Sequence, residues 1–311
     1  MKKIVLIAIA FFCTLSLQAK GDLHLFSADN KDGKISSLSI EKTLKENGFT
    51  IGVRSEMNGP FKKQFKQTDF KSFTLMTFYD TKLSQDLVKL YPDAGVITPM
   101  GIGIYQRVNE DTIHVSLLTV ATQMKILGTD DKRVLNILTQ IQTKLLATMK
   151  KALPHAKYTL SVEPLKVTKK LMTKYVMDLD EDDDADDVID EIEMGLDAGF
   201  NPYGFIVAAQ EYYNDTLTKD DTVKSPFDFY KTYSICKLEV IYTVARLRPD
   251  AAAFAPCTTM VYKKKGENKV VFGFPSVYNW MSSAAITDEA SKAVLIKAQT
   301  NFEAILKDLT E

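Results

Sequence analysis

The sequence predicts an α+β protein built from two tandem units, and three observations carry that prediction. Pro92 and Pro249, Asp93 and Asp250, Pro99 and Pro256, and Tyr105 and Tyr262 each stand 157 positions apart. Apolar positions in the stretches Thr74 to Tyr105 and Tyr230 to Tyr262 read as strand, helix and strand in the same order. A length of 311 residues suits two domains of about 100–200 residues each. With 45% apolar and 25% charged residues, each half can bury a core.

The chain begins MKKIVLIAIAFFCTLSLQAK, a basic start followed by an apolar run from Ile4 to Leu17 and a small residue at Ala19. That composition is a secretory signal peptide, residues 1–19, because the run is shorter than the ~20 residues a spanning helix needs. Phe11 and Phe12 before Cys13 are too large for a lipoprotein signal. No other segment is long and apolar enough to span a membrane, so the expected location is periplasmic or secreted. Without Lys2 and Lys3 the chain has 37 basic and 40 acidic residues, which offers nothing to nucleic acid. Cys13 leaves with the signal, and only Cys236 and Cys257 remain in a compartment where disulfides persist.

The first unit, residues 20–154, opens with a strand from Asp22 to Ser27. A helix capped by Ser39 follows, with Ile40 and Leu44 one turn apart and Gly48 as its stop. Phe49 to Val53 and Phe73 to Tyr79 read as strands. Thr81 to Tyr91 is a helix ended by Pro92, and Val96 to Gln106 forms a hairpin with Thr112 to Thr119. A helix from Asp131 to Leu153, striped by Val134, Leu138, Ile141, Leu145 and Met149, closes the unit.

Pro154 marks the boundary, and Lys157 to Val162 is expected to open the second unit, residues 155–311. After a strand from Lys170 to Met177, the acidic run Asp178 to Asp187 enters a helix stopped at Gly199, so that Ala198-Gly199-Phe200 answers Asn47-Gly48-Phe49. Strands at Tyr203 to Ala208 and Phe227 to Ile235 flank a polar insert, Asn214 to Ser225. A helix from Leu238 to Leu247, a hairpin turning at Lys265 to Asn268, and a final helix capped by Thr287 complete it.

Gly199-Phe200, Cys236, Pro256-Cys257 and Tyr262 stand in an order that resembles the bacterial domain of unknown function 302 family. The resemblance covers nearly all of the mature chain if both copies count. It implies two units with a fold like the TATA-binding protein, each a curved antiparallel sheet with helices on one side, and no DNA binding follows from a fold alone. Lys237-Leu238 replaces the family's usual Asn-Pro after the first cysteine. In the first, degenerate copy, Tyr79 and Met100 hold the two cysteine positions, so any thiol chemistry belongs to the second.

Cys236 ends a strand and starts a helix, where the helix dipole favours a thiolate, and Cys257 opens the next strand. The pair is open to four readings: a reversible disulfide, a thiolate site, a static disulfide, or two buried thiols packed as small apolar groups. Asp180, Asp182, Asp184 and Glu191 occupy calcium-loop spacing, but Ala185 replaces the turn glycine, and carboxylates at a helix N-terminus are the simpler reading. His24, His114 and His155 have no ligand spacing to one another, and no cofactor is expected. There is no nucleophile elbow, phosphate loop or dinucleotide fingerprint. Tyr212, Tyr213, Tyr230, Tyr233, Tyr278 and Trp280 would suit an uncovered concave sheet face receiving a small apolar ligand or a protein partner. The expected function is a binding or interaction module rather than an enzyme, its halves docked as an internal pseudo-dimer. The alternatives are a thiol redox protein and a structural envelope component.

Overall fold

A computed structural model describes residues 21–213 and 224–311. The expected signal peptide, residues 1–19, and most of the polar insert lie outside those residues. The first sheet holds β1 (Leu23–Asp29), β2 (Thr50–Glu56), β3 (Phe70–Tyr79), β4 (Met100–Arg107), β5 (Thr112–Leu118) and β6 (Lys157–Leu160), in the order β2-β3-β4-β5-β1-β6. The second holds β7 (Met172–Asp178), β8 (Phe205–Tyr212), β9 (Phe227–Lys237), β10 (Cys257–Lys264) and β11 (Lys269–Pro275), in the order β7-β11-β10-β9-β8. All pairings are antiparallel. Read from β8, the second order repeats the first strand for strand and lacks only a counterpart of β6. The protein is therefore α+β with two sheet-containing units.

Helices α1 (Ser37–Glu46), α2 (Asn58–Phe65), α3 (Thr81–Leu90), α4 (Val120–Leu127) and α5 (Lys132–Ala152) belong to the first unit. The second carries α6 (Ala185–Tyr203), α7 (Leu238–Leu247), α8 (Tyr278–Ser283) and α9 (Glu289–Thr310). From β3 to β5 and again at α5, each element begins 157 residues before its counterpart. Cis peptide bonds precede both Pro99 and Pro256. The stripe Val134, Leu138, Ile141, Leu145 and Met149 is wholly buried, as its period requires.

The faces away from these long helices are covered by the other half. The 3-10 turn Pro92–Val96 lies on β10 and β11, and its counterpart Pro249–Phe254 lies on β4 and β5. Glycines make the approach close enough. A Cβ on Gly101 would stand 2.7 Å from the Ala253 carbonyl oxygen, and Gly95 leaves room for the Tyr230 hydroxyl and Met260. Tyr230 Oη donates to the Pro92 carbonyl, and Tyr262 Oη donates to Asp93 Oδ1 at 3.1 Å. Where the turns dock, the expected uncovered face is covered: Tyr230 is wholly buried, whereas Tyr212, at the sheet edge, is 39% exposed.

Four local expectations are corrected. Segment Lys157–Leu160 pairs with β1 in the first sheet instead of opening the second. Helix α1 is capped by Ser36 in a reciprocal box with Ser39, and α9 by Asp288 in place of Thr287. Helix α6 runs through Gly199, which gives Ile305 a place to pack, and stops at Gly204, whose φ of 71° is left-handed. Gly204-Phe205 is thus the true counterpart of Gly48-Phe49. Helix α4, between Thr119 as N-cap and Gly128 as C-cap, had no place in the sequence reading.

A cavity walled by two cysteines

β9 and β10 lie side by side, with Cys257 opposite Ile235, so Cys236 sits one step along the neighbouring strand. Both thiols are free. Strand alternation alone would point the two to opposite faces, but Cys236 is the penultimate residue of β9 and both cysteines border one space. Helix α9 closes the space above with Leu295, Ala298 and Phe302, and α8 contributes Trp280, stacked on Phe254 with ring centroids 5.9 Å apart. What remains is a cavity of about 60 Å³, mostly apolar, touched by both cysteines, Lys237, Thr259 and Trp280.

The electrostatics oppose a reactive thiolate. Burial pushes the Cys236 thiol far above its usual range, and the neighbouring Cys257 adds to the rise. Burial pushes Cys257 up to about 12, partly offset by the Trp280 indole N–H, which approaches the sulfur without completing a hydrogen bond. At neutral pH such a thiol stays protonated. Burial also lowers the pKa of Lys237, whose Nζ lies 5.3 Å from the Phe205 ring centroid.

Two residues lining this cavity carry a buried polar atom without a hydrogen-bond partner: Thr259 Oγ1 and Trp280 Nε1, on residues 0% and 3% exposed. Sequence reasoning missed Thr259. Its signal is the two-residue step from Cys257 along β10, which puts both on one face. In the first half Tyr79 and Met100 occupy the equivalent places, and Met100 borders a cavity of about 30 Å³. Tyr79 Oη donates to Glu211 Oε2 at 3.0 Å across the two halves.

The acidic candidates are not gathered into a site. Asp184 is the N-cap of α6, accepting from the Asp186 and Asp187 backbone N–H groups, while Glu191 lies two turns along the helix. Among the described residues no three His, Cys, Asp or Glu side chains are grouped to hold a metal ion. No helix among them is long and apolar enough to cross a membrane.

Fold and site together define an α+β protein of two like sheets whose thiol-walled cavity belongs to the second. Residues 182–309, which span α6 to α9 and include both cysteines, match the family described as "Domain of unknown function DUF302". A solved structure, "Crystal structure of uncharacterized conserved protein DUF302 from Bacillus stearothermophilus", matches at 15% identity and a TM-score of 0.35, covering 42% of this chain and 97% of that one. Comparison with curated proteins finds no match.

Proposed function

We propose that the chain is an exported binding protein of two copies of one unit, residues 20–154 and 155–311, docked as an internal pseudo-dimer in which the second copy binds. On this reading β6 is the segment of the second copy that reaches back onto the first. The ligand enters the cavity beside Cys257. The observation that carries the reading is the pair of unpartnered groups, Thr259 Oγ1 and Trp280 Nε1, on residues of a mostly apolar wall. A buried polar group left unpaired costs about 1–3 kcal/mol, so an acceptor that takes the indole hydrogen removes a standing penalty. A cavity of about 60 Å³ is far smaller than the ~150 Å³ that holds benzene, so the ligand has few heavy atoms or inserts only its tip.

The test is thermal unfolding of the protein with a panel of small apolar molecules bearing one acceptor, alongside Thr259→Val and Trp280→Phe. A ligand at about 100 times its Kd adds ~2.7 kcal/mol, a shift of several degrees. The reading stands if a shift appears and both variants reduce it, and falls if no member of the panel moves the wild type. Export is checked separately by the mass of the N-terminus, with cleavage expected after Ala19.

The thiol redox reading is favoured by one observation, that both free sulfurs border one cavity. Titrating free thiols before and after mild reductant decides it. A disulfide that forms and breaks near the glutathione potential supports redox work, and two thiols that persist under oxidant exclude it.

A further inference from the structure

In the first sheet the outer edge of β1 is covered by β6, with Phe26 opposite Tyr158 and Leu25 opposite Thr159. The Ser161 backbone N–H donates to the Leu23 carbonyl at 2.9 Å, so Leu23 turns its backbone groups outward. Behind this edge, Gln142 Oε1 accepts from Val120 N at 2.8 Å while Nε2 donates to His24 Nε2, whose Nδ1 lies 2.8 Å from Tyr158 Oη.

The second sheet repeats this arrangement up to the covering strand. Gln299 Oε1 accepts from Val277 N at 3.0 Å, and Nε2 donates to Thr173 Oγ1 at 3.0 Å. Gln299 and Val277 stand 157 residues after Gln142 and Val120. Thr173 is opposite Phe274 as His24 is opposite Leu117, 157 residues earlier. Yet β7 pairs only with β11 among the described residues. Leu23, His24, Phe26 and Ala28 of β1 are buried, whereas no side chain of β7 is, and Val176 is 48% exposed. Beside Thr173 and Gln299, where a Tyr158 equivalent would lie, is an open groove of about 560 Å³, bordered by Lys169, Lys170, Tyr278 and Glu303.

We propose that this edge is an interface between two copies of the chain, β7 pairing antiparallel with β7 of a second copy about a two-fold axis. A two-fold contact must be self-complementary, and this edge is. Its start carries Lys169 and Lys170, and its end runs into Asp178, Asp180 and Glu181. Transferring the β1–β6 register places Tyr175 opposite Tyr175 of the second copy, as Phe26 is opposite Tyr158. The same register sets Lys174 against Val176, Lys170 against Asp180 and Lys169 against Glu181. None of Lys169, Lys170, Asp180 and Glu181 is in an ion pair among the described residues. Sliding by two residues to centre on Lys174 would oppose that lysine to itself, and the register taken is the one that β1 and β6 show. The two five-stranded sheets then become one continuous sheet. An uncovered edge is otherwise a template for unwanted pairing.

The interface does not depend on the cavity reading, because none of the β7 residues or charged residues it pairs borders the space beside Cys257 and only Gln299, behind the edge, touches both. Sedimentation of the whole protein across micromolar concentrations is expected to give twice the mass of one chain. Lys169→Glu with Lys170→Glu weakens the dimer on the order of 100-fold by setting like charges together. Adding Asp180→Lys and Glu181→Lys to that variant restores it. Val176→Pro removes an outward N–H at a position where an edge strand tolerates proline, and also dissociates the dimer. If the proline variant does not fold, the charge reversal and its rescue decide. A protein that is monomeric at every concentration overturns the proposal, as does a dimer indifferent to the charge reversal.

Discussion

Adding one methyl group at Gly103 tests the exchange of turns between the halves. The Cβ of Gly103→Ala would stand 2.8 Å from Ser116 Oγ and 3.0 Å from the Ala252 carbonyl carbon, with the Ala252 methyl closer still. Two of these neighbours are held by backbone of the opposite half, so the clash cannot be relieved by rotating a side chain. Overpacking of this kind costs about 1–3 kcal/mol. Against it stands the usual gain from replacing glycine in a compatible conformation, about 0.4–1 kcal/mol through the unfolded chain. The net expectation is a loss of roughly 1–2 kcal/mol in urea unfolding followed by far-ultraviolet circular dichroism. Ala252→Gly on its own loses stability as well, but combined with Gly103→Ala it removes the closest of the three contacts, giving a coupling energy of about 1 kcal/mol. If the halves do not dock through these turns, Gly103→Ala is neutral or stabilising. That outcome would refute the reasoning.

Three further predictions concern titratable groups. Burial raises the Glu211 pKa, so its uncharged form suits the fold; the stability it contributes is present at low pH and lost as pH rises through the shifted value. Glu211→Gln, which can still accept from Tyr79 Oη, is therefore expected to raise the melting temperature at pH 8 by a few degrees, with the difference vanishing toward pH 4. Burial lowers the His24 pKa below its ordinary 6.5, so its neutral form suits the fold and the associated stability is lost as pH falls below that range. Protection of the β6 amides against exchange, relative to the intrinsic rate at each pH, should fall as pH drops below the ordinary histidine range, ahead of the rest of the first sheet, because His24 ties β6 down through Tyr158. Finally, Cys236 and Cys257 should resist alkylation in the native protein at pH 7 and react at ordinary rates in urea; rapid native labelling would count against the buried thiols described above.

Local chemistry was legible in the sequence, and long-range placement was not. Helix α7 appeared with its observed bounds, Leu238 to Leu247, because Val240 and Val244 repeat at one turn and Pro249 forbids continuation. The repeated succession of strand, helix and strand around Pro92 and Pro249 followed from prolines at a constant offset, whereas the order of strands in each sheet did not. Gly199 misled because a glycine can end a helix or admit a neighbour, and only the position of Ile305, over a hundred residues away, distinguishes the two. Strand β6 has the same period whichever sheet it joins, so its partner could not be read from its residues. Helix α4 carried both caps, Thr119 and Gly128, but its eight residues are too short for a clear stripe. The cysteines were visible; the cavity beside them was not, since its walls come from β9, β10, α7, α8 and α9.

Each half supplies the covering for the other's inner surface, so neither has a finished exterior by itself. A free-standing unit of this design would have to find its twin by diffusion, and its integrity would depend on how much of it was present. Joining the two in one polypeptide makes that meeting intramolecular and independent of dilution. It also frees the partners from being identical, so that one can carry tyrosine and methionine where the other carries two thiols.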